Sequence, residues 1–168
     1  LFRSSFNPTN GGSFSVDVVH ATDPRQASAQ VEETLKMEAG KDWRAEYRAF
    51  LIRINARRDE LVALLNKLKG EGKRVAGLGA STKGNVLLQY YSLTPALVDS
   101  IGEVNANKFG CETPGSAIPI VSEDALLADD PDYLLVLPWH FRDFFMRSPK
   151  FKGRKLIFPL PQVEIVTP

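Results

Sequence analysis

The sequence predicts an α/β fold: a doubly wound parallel sheet with flanking helices, preceded by a helical pair. Three observations predict it. Short apolar runs alternate with helical patterns from Val75 to Phe158. A glycine turn, Gly77-Leu78-Gly79, joins the first of those runs to a helix. Ahead of them, Trp43 to Lys69 carries apolar residues mostly three or four apart, the spacing of one helix face.

Taken in order, Asn7 to Gly12 is a turn-rich segment. Ser13 to Val19 alternates imperfectly and suggests a strand. One strand is not stable alone, so it needs the body of this domain or a sheet that is absent. Thr22 or Asp23 can cap a helix with Pro24 at its first position. That helix carries Ala27, Val31 and Leu35 and stops at Gly40. Asp42 caps the next, which runs to Lys69, about 40 Å long at about 1.5 Å per residue. Its interval Asn55 to Glu60 is polar on most sides and reads as solvated. Val75 to Leu78 is a buried strand, followed by a helix ending near Tyr91. Further strands are expected at Val98 to Val104, Ile118 to Val121, Tyr133 to Leu137 and Lys155 to Phe158, with Val163 to Val166 as an edge. Ser122 caps a short helix, and another follows from about Phe141 to Arg147.

Composition narrows the function classes. The 168 residues suffice for one domain with a real core, and 43% apolar with 24% charged content is that of an ordinary globule. A net charge of +1 gives no global electrostatic case for nucleic acid or a membrane surface. Cys111 is the single cysteine, which excludes an internal disulfide and a multi-cysteine metal site. With only His20 and His140 as histidines, a histidine metal site is not expected. A cytoplasmic location is the natural expectation, since Leu1 to Phe6 lacks the apolar stretch of a signal peptide. The first residue is not methionine, so the sequence is expected to be either a fragment or a processed chain.

The chemistry concentrates at Lys73 to Asn85. A strand that ends in a glycine turn and feeds a helix presents backbone N–H groups to an anion. Gly79 lets the backbone approach, Ser81 and Thr82 add hydroxyls, Lys83 adds a charge, and Asn85 follows. Gly77 and Gly79 begin the dinucleotide fingerprint, but Thr82 stands at its third glycine and the next is Gly84. The order Lys83-Gly84-Asn85 also breaks the Walker pattern. The segment is therefore either a phosphate site of its own kind or a tight turn with solvated polar residues; its position in an open α/β sheet favours phosphate.

In a parallel sheet the strand C-termini share one edge. That brings the Ser81 turn towards Glu103-Val104-Asn105 and towards Trp139-His140-Phe141-Arg142. Glu103 lies about twenty residues past the glycine turn, where dinucleotide folds keep a ribose-binding acid. Lys108 lies in the loop beyond. Trp139 offers a stacking face, Arg142 suits a diphosphate, and His140 can donate to either. The other reading has Trp139 and Phe141 packing on the core and His140 at a helix start. No catalytic residue and no metal ligand set is visible.

Several stretches resemble the C-terminal domain of the nucleotide-sugar C-methyltransferases: Gly72 to Asn85, Asn105 to Lys108, Thr113 to Ile120, Pro131 to Arg142, and the closing Phe158-Pro159-Leu160-Pro161 with Glu164-Ile165-Val166. The resemblance runs from Gly11 onward and departs at Val104-Asn105-Ala106, where relatives show Arg-Asn-Pro. It implies a Rossmann-like domain that binds a nucleoside-diphosphate keto-deoxysugar through Gly79, Ser81, Thr82, Lys83, Asn85, Asn105, Lys108, Trp139, His140 and Arg142. It further implies that S-adenosylmethionine and the catalytic base belong to a methyltransferase domain of the same protein. Zinc is implied only in an N-terminal domain outside this sequence. On this reading residues 1–20 are the tail of the methyltransferase domain, 21–72 the helical pair and 73–168 the Rossmann-like domain. An NAD(P)-binding oxidoreductase domain and a non-catalytic interaction domain are the rival readings.

Overall fold

The computed structural model describes residues 1–168 and divides into two compact units, Leu1–Ile52 and Arg53–Pro168. In the first, β1 (Arg3–Asn7) and β2 (Ser13–Asp17) form an antiparallel hairpin with Phe6 opposite Phe14. The strand expected near Ser13 therefore pairs within this chain, with a segment whose polar sequence gave no strand signal. The chain turns between them at Asn10, Gly11 and Gly12, all at positive φ.

Helix α1 (Ala29–Ala39) starts later than expected. Asp23 does not cap a helix: its carboxylate accepts from both the backbone N–H and the guanidinium of Arg25. Residues 20–28 stay irregular, and the Ser28 N–H donates to the Phe2 carbonyl at 2.8 Å. Helix α2 (Trp43–Gly70) is capped by Asp42, whose Oδ1 accepts from the N–H groups of Arg44 and Ala45. Its polar interval is not simply solvated, because Asn55 accepts a hydrogen bond from the Tyr90 hydroxyl at 2.7 Å.

The second unit holds a six-stranded sheet in the order β5-β4-β3-β6-β7-β8. Its strands are β3 (Val75–Leu78), β4 (Ile101–Glu103), β5 (Ile120–Ser122), β6 (Tyr133–Val136), β7 (Leu156–Phe158) and β8 (Glu164–Val166). All neighbours pair in parallel except β7 with β8. This is the expected α/β sheet with flanking helices, with two strands reset. Pro119 has no N–H to give a ladder, so β5 starts after it and ends on Ser122, which then caps α4 (Glu123–Ala128). Val98 packs in the core before β4 begins, and Val104 is exposed beyond its end.

Alternation along β3 and β6 builds two cores, one on each face of the sheet. Val75, Leu135 and Leu137 face Leu61, Leu65 and Leu68 of α2 and Leu87 and Leu88 of α3 (Thr82–Tyr90). Ala76, Leu78, Leu134 and Val136 face Leu126 and Leu127 of α4 and Phe145 of α5 (Arg142–Arg147). A sheet buried on both sides needs apolar residues at every position, which is why β6 and β7 read as unbroken runs.

Candidate functional site

The order of strands places the turn of direction in the sheet between β3 and β6. Open α/β sheets commonly bind ligands in the crevice there. There the Pro138 ring, just past β6, packs against Gly79 at the end of β3. A Cβ built on Gly79 (φ +77°) would lie 2.9 Å from Pro138 Cγ. The glycine is thus required twice, for its conformation and for this contact.

The open cleft, about 340 Å³, lies on the β4 side. One wall is the start of α3, with Ala80, Ser81, Thr82 and Asn85. The facing wall is the loop after β4, with Lys108 and Cys111 to Pro114. Leu88, Ile120 and Leu137 form an apolar floor. Ser81 Oγ accepts the Gly84 N–H at 3.0 Å and so caps α3. Gly84 allows this helix to approach the sheet: a Cβ there would stand 2.6 Å from Leu137 Cβ and 2.9 Å from Ser81 Oγ. It does the packing work of a fingerprint's third glycine, two positions later than that motif places it. Lys83 sits exposed in the first helical turn. The Asn85 Oδ1 is buried with no hydrogen-bond partner in the protein.

Glu103, at the end of β4, is 7% exposed. Its Oε2 accepts from the Ala80 N–H (3.1 Å) and from Lys108 Nζ (3.1 Å); its Oε1 accepts from the N–H groups of Val104 (2.7 Å) and Asn105 (3.0 Å). Burial pushes this carboxyl up, but the Asn105 N–H, the Lys108 ammonium and the Val104 N–H together hold it below the usual carboxylate range. Asn105 also shapes the loop, its Oδ1 accepting the Asn107 N–H at 3.1 Å. Thr113 and Ser116 share a 2.6 Å hydroxyl hydrogen bond beneath it, and Gln89 of α3 donates to the Pro114 carbonyl at 3.0 Å.

Of the residues expected to converge, the cleft collects Ser81, Thr82, Asn85 and Lys108. Gly79, Lys83, Asn105, Trp139, His140 and Arg142 are not among its lining residues. Trp139 packs against both cores. The His140 ring lies tilted against Phe141 with ring centroids 4.3 Å apart, and its Nδ1 is buried without a partner. Burial, and then the positive charge of Lys83, lower its tendency to protonate. Arg142 pairs with Glu164 of β8 and lies over the Phe158 ring at 4.4 Å. Conversely, Glu112, Thr113 and Pro114 line the cleft although none of them was among the expected site residues. Their position in the loop after a parallel strand is the signal that could have found them. No group of three or more His, Cys, Asp or Glu side chains is placed to hold a metal, and no helix is long and apolar enough to cross a membrane.

A mostly parallel sheet with a cleft at its C-terminal strand ends defines an α/β domain. Residues 8–161 match the C-methyltransferase C-terminal domain family, and the chain belongs to it. It is also 30% identical over 163 residues to C-methyltransferase NovU of Streptomyces niveus, a match covering 94% of this chain. The chain spans 39% of the length of that relative.

Proposed function

We propose that the cleft binds the diphosphate of a nucleoside-diphosphate keto-deoxysugar, as the substrate-holding part of an S-adenosylmethionine-dependent C-methyltransferase. The observation that carries this reading is the capped start of α3 opening onto the cleft. Backbone N–H groups there point along the helix dipole toward an anion, with the hydroxyls of Ser81 and Thr82 beside them. Lys83 in the first turn opposes the positive helix end, which costs a few tenths to about 1 kcal/mol unless an anion is near. The unpartnered Asn85 Oδ1 can accept from a substrate hydroxyl. The apolar floor suits the face of a base or sugar ring. Methyl transfer itself is assigned to a methyltransferase domain, in line with the chain's share of NovU's length.

The test is competition binding with a panel of nucleoside diphosphates. Lys83→Ala is expected to weaken affinity roughly ten- to a hundredfold, the scale of one charge-assisted contact, while leaving the melting temperature unchanged or raised. Arg57→Ala on α2, where Arg57 pairs with Glu60, is expected to have no effect. Unchanged affinity in Lys83→Ala with loss in Arg57→Ala would move the site to the helix.

The nucleotide-cofactor reading finds poor support in the same residues. Dinucleotide folds offer the acid after the second strand to ribose hydroxyls. Glu103 holds that position, but four donors already occupy a carboxylate with about four lone-pair sites. S-adenosylmethionine or NAD held through this acid does not fit. Isothermal titration of either into this chain is expected to give no binding heat; micromolar affinity for one of them would reverse the assignment.

A further inference from the structure

Lys108 lines the cleft, yet its ammonium is directed inward. It donates to the Ala80 carbonyl at 2.9 Å and to Glu103 Oε2 at 3.1 Å. The same Oε2 accepts the Ala80 N–H. Both backbone groups of one residue are thus gripped from the loop after β4. Ala80 stands between Gly79, at φ +77°, and Ser81, the cap of α3. Glycine gives this turn wide backbone freedom, and the alanine after it has no side chain long enough to anchor it.

We propose that Glu103 and Lys108 are positioning residues: a clamp that fixes the Gly79–Ser81 turn and so aims the start of α3 into the cleft, without Lys108 itself carrying the ligand. The inference rests on the cleft being the diphosphate site. Two of the three ammonium donors are spent inside the protein. The Glu103 carboxylate, at 3.1 Å, offsets the lysine's charge, so the pair adds little net attraction for phosphate. What it supplies is a turn already in the binding geometry, which removes an ordering cost at the moment of binding. A lysine that gripped phosphate directly would contribute charge instead. The two roles therefore differ in their response to salt and to the loss of Glu103.

The experiment compares wild type, Lys108→Met, Lys108→Arg, Glu103→Gln and the Lys108→Met/Glu103→Gln double variant. Pyrophosphate affinity is measured at low and high ionic strength, and the Ala80 amide proton shift is followed by NMR without ligand. The clamp predicts about a tenfold loss in Lys108→Met, the scale of one charge-assisted hydrogen bond. It also predicts that the double variant, which removes both charges of the pair, keeps the wild-type salt dependence and is no weaker than the worse single, with partial recovery in Lys108→Arg and an Ala80 amide that moves in both single variants. Additive losses together with a flattened salt dependence in the double variant would make the lysine a ligand contact and overturn the clamp. So would an Ala80 amide that does not move in either variant. If the wild type binds neither pyrophosphate nor any nucleoside diphosphate, the reading of the cleft fails, and the ligand-free Ala80 shift still decides whether the turn is clamped.

Discussion

Replacing Glu103 by alanine is expected to destabilise the second unit by about 1–3 kcal/mol, the range for leaving the partners of a buried hydrogen-bonding group unsatisfied. The variant strands three backbone N–H groups, of Ala80, Val104 and Asn105, together with the Lys108 ammonium. Lys108 keeps the Ala80 carbonyl as an acceptor, at 2.9 Å. The two tryptophans allow a clean reading, because Trp43 belongs to the first unit and Trp139 to the second. Urea unfolding followed by Trp139 fluorescence in a Trp43→Phe background measures the unit concerned. A loss under about 1 kcal/mol would mean that water replaces the carboxylate at little cost. The same group sets an acid limb. Its folded-state pKa lies below the ordinary 4.5, so its contribution is fully present above that value. The contribution is lost as pH falls through the lower folded-state pKa. Glu103→Gln is expected to lack this part of the acid slope, and an unchanged slope would assign acid unfolding to other carboxylates.

Gly84→Ala is expected to cost about 1–3 kcal/mol by overpacking, although alanine in a helix normally gains about 1 kcal/mol over glycine. The new methyl would meet Leu137 Cβ at 2.6 Å, and Leu137 is fully buried just past the central strand β6. It would also press on Ser81 Oγ at 2.9 Å and loosen the cap of α3. Stability and diphosphate affinity should therefore fall together, and Gly84→Val should fall further. Gly70 is the control, since a Cβ there meets nothing within 4 Å. Gly70→Ala is expected to be neutral or mildly stabilising in the same melting assay. Equal melting temperatures for the Gly84 and Gly70 variants would show that α3 can lift off the sheet.

The physics of these two positions also explains what was legible in the sequence. Central strands were readable because a sheet covered on both faces has no polar positions: Tyr133–Val136 and Leu156–Phe158 could be little else. Strand β1 was not readable, because its residues are mostly exposed and Arg-Ser-Ser-Phe-Asn carries no alternation. Pro24 misled by local rule: a good first helical residue was outcompeted by the Asp23–Arg25 turn. At the site, the Ser81 cap and the polar helix start follow from neighbours in sequence. The grip of Glu103 on Ala80 and the pairing of Arg142 with Glu164 depend on contacts between distant segments, which spacing does not report. Glu103 shows the difference well. Its distance from the glycine turn suggested a ribose acid, and only the surrounding donors reveal that it faces inward.

The pairing of β3 has a consequence for how the chain is made. Its Val75 lies beside Tyr133, and its other edge beside Ile101. During synthesis the first-formed strand of the sheet waits with one apolar edge bare until β6 has left the ribosome. Loop closure over such separations is slow, and an open apolar edge invites pairing with other chains. The time taken to synthesise the stretch from Glu103 to Tyr133 therefore sets how long that edge stays bare. Polypeptides that terminate within this interval would carry a complete phosphate turn on a sheet they cannot close.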